Sequence, residues 1–89
     1  MTERSRDQET AKARAVKDTY EAELLSKANV VGVGVGLEEK DGASTGKVAV
    51  VVMVSEKVPA KQLAKQDIIP PVLDGIPVDV QEVGRLSIG

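Results

Sequence analysis

The sequence predicts a small α+β domain, α/β in its crossover, built on a three-stranded mixed sheet. The expected order is an N-terminal helix, a β-hairpin, a short crossover helix and an edge strand. Three observations carry this. Residues 5–28 are rich in alanine and charge and contain no Gly or Pro. Residues 30–37 and 47–54 are valine-rich runs separated by a polar loop. Residues 76–83 alternate apolar and polar side chains after a spacer long enough to return the chain to a parallel position.

The helix is expected over 5–28. Ser5 followed by Gln8 fits a capping box, and Asp7 and Glu9 suit the positive end of the helix dipole. Val16, Tyr20 and Leu24 recur at i, i+4 and i+8, and the stripe strengthens toward Leu25 and Ala28. The second half should pack on the domain; the charged first half is a candidate assembly arm. Glu23 and Lys27 stand in the favourable i, i+4 order, and Asn29 is a natural stop.

Strand periodicity in 30–37 places Val31, Val33, Val35 and Leu37 on one side and Gly32, Gly34 and Gly36 on the other. Glycine weakens a strand interior, so three in a row on one face imply close approach of another backbone. Asp41-Gly42 and Thr45-Gly46 are turn signals within the loop 38–46. Lys47–Val54 is apolar on both faces, the mark of a central strand covered on two sides. Residues 60–66 suggest a short helix opened by Pro59 and closed before Pro70-Pro71, and Leu73-Asp74-Gly75 is a turn. In the last strand Ile76, Val78 and Val80 face inward, and Pro77 marks an edge. The organisation is thus a helix over 1–28, an α/β body over 29–84 and a tail over 85–89.

Composition narrows the chemistry. Among 89 residues there is one Tyr, and there is no Phe, Trp, Cys or His. Disulfides and thiolate-bound zinc are excluded, and the commonest general base and transition-metal ligand is missing. Aliphatic side chains must build the core, each contributing roughly 1.5–3 kcal/mol when fully buried. A net charge of −2 disfavours non-specific nucleic-acid binding. No run approaches a membrane span and no signal-peptide pattern opens the chain, so the cytoplasm is the expected location.

Four motifs invite a sharper reading. Gly32-Val33-Gly34-Val35-Gly36 departs from the dinucleotide fingerprint, since its third glycine falls one residue early and the run lies inside a strand. Glu38, Glu39 and Asp41 lack the spacing of a calcium loop and read as a solvated acidic loop. Lys57, Lys61 and Lys65 form a basic stripe if 60–66 is helical. Ser44, Thr45, Ser55 and Ser87 have no histidine to deprotonate them and no nucleophile-elbow context. No catalytic, cofactor or metal site is expected.

From Leu25 to Gly84 the chain resembles the N-terminal domain that precedes the protease-like domain in bacterial and plant trypsin-like peptidase proteins, the group that includes the plant narrow-leaf proteins. The matching phrases are Leu25-Ser26-Lys27-Ala28-Asn29-Val30-Val31 running into the glycine strand, Thr45-Gly46 before Val48–Val54, and Glu56-Lys57-Val58-Pro59. Leu63, Ile69-Pro70, Asp74–Val80 and Glu82-Val83-Gly84 follow in order. The barrel that carries the His, Asp and Ser triad in that family has no counterpart in these 89 residues, so no catalytic residue carries over. The resemblance implies an accessory domain that assists assembly or packs beside a protease domain.

The leading expectation is a non-enzymatic protein-interaction module that forms a homo-oligomer. Its candidate interface comprises Val16, Tyr20, Leu24, Gly32, Gly34, Gly36, Val51 and Met53. Two alternatives stand beside it. One is a propeptide-like or regulatory domain docking on a separately encoded protease, with the tail Arg85–Gly89 offered to its cleft; the other is a small nucleotide- or metal-binding protein.

Overall fold

The computed structural model describes the backbone of residues 2–84 and the side chains of residues 7–84. Its elements are helix α1 (Thr2–Leu25) and strands β1 (Val30–Lys40), β2 (Ala43–Val54), β3 (Val72–Leu73) and β4 (Ile76–Glu82). The sheet has four strands in the order β1-β2-β4-β3, and α1 packs on one face. β1 and β2 form an antiparallel hairpin, and β4 returns parallel to β2 with Val50 opposite Val78 and Val52 opposite Val80.

The core lies between α1 and the sheet. Ala13, Val16 and Leu24 are buried on the helix, with Tyr20 half-buried among them. Their spacing of i, i+3, i+7 and i+11 makes one stripe. The sheet meets it with Val48, Val50, Val52 and Val54, flanked by Val33 and Val35 of β1 and Val78 and Val80 of β4. Leu24, Val50 and Val52 are the largest side chains withdrawn completely from solvent. β2 is thus the central strand that its two-sided valine pattern predicts.

Several boundaries differ from expectation. The helix begins at Thr2, so Ser5 lies inside it rather than at its cap. It ends at Leu25, where the Ser26 hydroxyl donates to the Glu23 carbonyl and competes with further helical bonding. Lys27 therefore leaves the helix and donates to the Gln66 carbonyl instead of pairing with Glu23. Asn29 takes a left-handed φ of 70° just before β1, a conformation its short polar side chain tolerates. The hairpin is longer than predicted because Asp41 and Gly42 alone form its turn, both at positive φ as a type I′ turn requires. Thr45-Gly46 is no turn: Gly46, at φ 83°, sits in a bulge where the register slips between Leu37 and Glu39.

The fourth strand is the main addition. Asp74 and Gly75 form a second positive-φ pair, and the chain before it folds back so that Val72 opposes Pro77 and Leu73 opposes Ile76. β4 is accordingly flanked at its start, where the Val78 amide also donates to the Pro71 carbonyl, and is an edge only beyond Val78. The crossover helix predicted over 60–66 is replaced by two 3₁₀ turns, Ala60–Gln62 and Lys65–Asp67, broken by Leu63 and Ala64 in extended conformations. Lys57, Lys61 and Lys65 therefore do not share a helical face. The tail 85–89 lies outside the described residues.

Candidate functional site

The eight residues of the predicted interface divide between two faces of the sheet. Val16 and Leu24 are buried under α1 within this chain, and Tyr20 is packed beside them with its hydroxyl donating to Asp74 Oδ1 at 3.1 Å. Val16 and Leu24 are withdrawn inside the chain, which corrects their assignment to an interface, while Tyr20 ties helix to turn and stays half-exposed. The remaining five come together. Gly32 opposes Met53 and Gly34 opposes Val51, while Gly36 opposes Ala49, all on the face away from the helix.

The glycine row has an explanation within the chain. Among the described residues no other backbone lies on it; β2 side chains do. A Cβ on Gly32 would come to 3.0 Å from Met53 Cε, and one on Gly36 to 3.3 Å from Val51 Cγ2. Gly34 has only Met53 Cε near, at 4.0 Å. Met53 and Val51 thus lean across the slim side of β1, and both stay half-buried. The result is a shallow apolar strip with little relief.

One end of this face is closed. Asp79, on β4, accepts a hydrogen bond from the Glu39 amide at 3.0 Å and another from Gln81 Nε2 at 3.0 Å. β1 and β4 do not pair, since β2 runs between them. The bond therefore requires the outer end of β1, bent at its bulge, to swing across β2. Ala49, on this face, is fully buried. Sequence alone does not couple Glu39 to Asp79, because the bulge that brings them together depends on Gly46.

A second concavity of about 300 Å³ lies at the C-terminal ends of the parallel strands β2 and β4, beneath the crossover. Its lining is mostly aliphatic, including Val54, Val58, Leu63, Ile69 and Val80. Asp67 in its wall accepts from the Ala28 amide at 2.9 Å and holds the crossover, as does Glu82, outside the lining, which accepts from the Lys57 amide at 2.9 Å. The acids of the hairpin are likewise occupied or dispersed. Glu38 accepts from the Thr45 hydroxyl at 3.0 Å, and among the described residues no three carboxylates converge as metal ligands. Among those residues no helix is long and apolar enough to cross a membrane.

Among the described residues Tyr20 is the one titratable group with a clear perturbation. Its pKa is raised above the ordinary 10.0, first by the hydrogen bond to Asp74 and then by that carboxylate's charge, with desolvation and Glu23 adding to it. The phenol stays neutral and serves as a tie between α1 and the β3–β4 turn. No family model matches this sequence, and no curated protein matches it closely enough to lend a function.

Proposed function

We propose that this chain is a non-catalytic protein-interaction module that associates with copies of itself. The observation that supports the reading is the strip formed by Gly32, Gly34, Gly36, Val51 and Met53. Among the described residues its nearest neighbours above the glycines are side chains of β2 itself, not a covering element. A β-sheet face with apolar side chains on both sides asks for two layers of cover, and one helix supplies only one. The sequence has no histidine, the commonest general base.

Light scattering of the purified chain across a concentration series tests this directly, with a mass above one chain expected at the higher concentrations. Val51→Lys and Met53→Lys place charge on a half-exposed strip, so they should lower the associated fraction while leaving far-UV circular dichroism unchanged. A single-chain mass at every concentration removes the reading.

A further inference from the structure

We propose that the second copy joins at the free edge of β1, antiparallel, about a two-fold axis through Gly34. This rests on the self-association reading but on a different surface, the strand edge rather than the glycine-lined face.

Among the described residues β1 has a partner on one side only. An unpaired strand edge offers a row of N–H and C=O groups whose natural complement is another strand. Edges that resist such pairing usually carry lysine, proline or inward charge. From Val30 to Leu37 this strand carries none of these. Its regular register with β2 runs over Gly32–Leu37, bounded by a bulge on each side. The edge available for pairing is therefore short and finite, which favours a closed dimer over an open fibre.

The occupant follows from the placement of exposed apolar groups. On β1 the large hydrophobic side chains open to solvent are Val31, 52% exposed, and Leu37, 39% exposed. The bulge leaves Val31 with no opposite residue on β2. These two positions lie symmetrically about Gly34. A two-fold axis there sets Val31 against the partner's Leu37, and Leu37 against the partner's Val31. Val33 then meets the partner's Val35, Gly32 meets the partner's Gly36, and Gly34 meets its own copy. The positions of each pair differ by an even number, so like faces of the two sheets align. The helices of both copies lie on one face, and the two glycine strips become neighbours on the other. No charged residue lies between Val31 and Leu37, so no like charges face each other along the seam. A second copy thus covers both exposed side chains twice over with one contact, which a one-sided partner would not do.

The natural chain has no cysteine, so an introduced pair reports the register without background. Opposed residues in such a pairing have Cβ atoms roughly 4.5–5.5 Å apart, within reach of a disulfide after small adjustment. Val31→Cys and Leu37→Cys chains are prepared separately and then mixed under mild oxidation. The expected result is a disulfide joining Cys at 31 of one chain to Cys at 37 of the other in the mixture, with neither variant cross-linking to itself. Hydrogen exchange on the unmodified chain provides the second readout, with the amides of 32–37 expected to gain protection as concentration rises. Absence of the mixed disulfide and of that protection, in a chain whose mass is dimeric, overturns the edge pairing and leaves self-association standing. Self-cross-linking of Leu37→Cys overturns the register. A monomeric mass throughout overturns both proposals.

Discussion

Replacing Gly34 with alanine should stabilise the isolated chain. Glycine in a strand interior costs roughly 0.5–1 kcal/mol relative to alanine, because the unfolded chain has more freedom to lose. Against that gain stands any clash made by the new methyl. At position 34 the new Cβ lies 4.0 Å from Met53 Cε, an ordinary van der Waals contact, and φ is not in the left-handed region. The expected gain is therefore about 0.5–1 kcal/mol. A change of 1 kcal/mol moves Tm by roughly 4–8 °C in a domain of this size, so a rise of about 2–8 °C should be visible. The neighbouring glycines supply controls. At Gly36 the methyl meets Val51 Cγ2 at 3.3 Å, and a β-branched side chain has little rotamer freedom to yield. The clash should cancel the gain, leaving Gly36→Ala within about 0.5 kcal/mol of the natural chain. At Gly32 the methyl meets the end of Met53 at 3.0 Å, but that side chain is flexible and can swing away. The order of stability should be Gly34→Ala above Gly32→Ala above Gly36→Ala. Urea unfolding followed by circular dichroism measures it, in dilute solution so that association contributes little. If Gly34→Ala proves the least stable of the three, the account of this face as slim and uncovered in the single chain is wrong.

Three further outcomes follow from the packing. Leu24→Ala empties a fully buried site between helix and sheet and should cost about 2–5 kcal/mol in urea titration; a loss below 1 kcal/mol would mean that α1 is not docked as described. Tyr20, the sole aromatic residue, gives an unobstructed tyrosinate absorbance: its midpoint in the folded chain should exceed 10.0 and fall toward that value in Asp74→Asn. Because the fold favours the neutral phenol, its contribution to stability is complete below pH 10 and disappears as pH rises through the raised folded value. Asp79→Ala removes the acceptor of the Glu39 amide and should destabilise by about 1 kcal/mol, with faster exchange of that amide as the specific sign that the hairpin end has been released.

The elements were legible where a period and a turn agreed. Val48, Val50, Val52 and Val54 alternate along a strand that is apolar on both sides, and they line the core as the pattern demands. The crossover length predicted parallel pairing of the last strand, and β4 runs parallel to β2. What escaped had a tertiary cause. Val72 and Leu73 are too few to show a period, and Pro70-Pro71 reads as a stop rather than an approach to a strand. Only the positive-φ Asp74-Gly75 turn makes them pair. Residues 60–66 have helical composition, yet Leu63 and Asp67 are drawn toward the wall of the concavity, and the chain breaks into single turns to place them. Val16 and Leu24 are misplaced in the candidate interface for the same reason: they sit in a sparse helical stripe, and the sheet they cover cannot be counted until its valines are known to face them.

The two sides of β2 pose the problem that the proposed function answers. Toward α1, its valines are dry within a single chain. On the other side Val51 and Met53 remain half-buried, and only Ala49, at the end closed by Asp79, is sealed. At Gly32 and Gly36 a methyl would press on Met53 and Val51, whereas Gly34 has room for one and is glycine all the same. In the folded monomer this arrangement lets Met53 lie down over Gly32 and so limits the apolar area met by water. The slim row and the half-buried Val51 and Met53 beside it are the surface on which the proposed self-association rests.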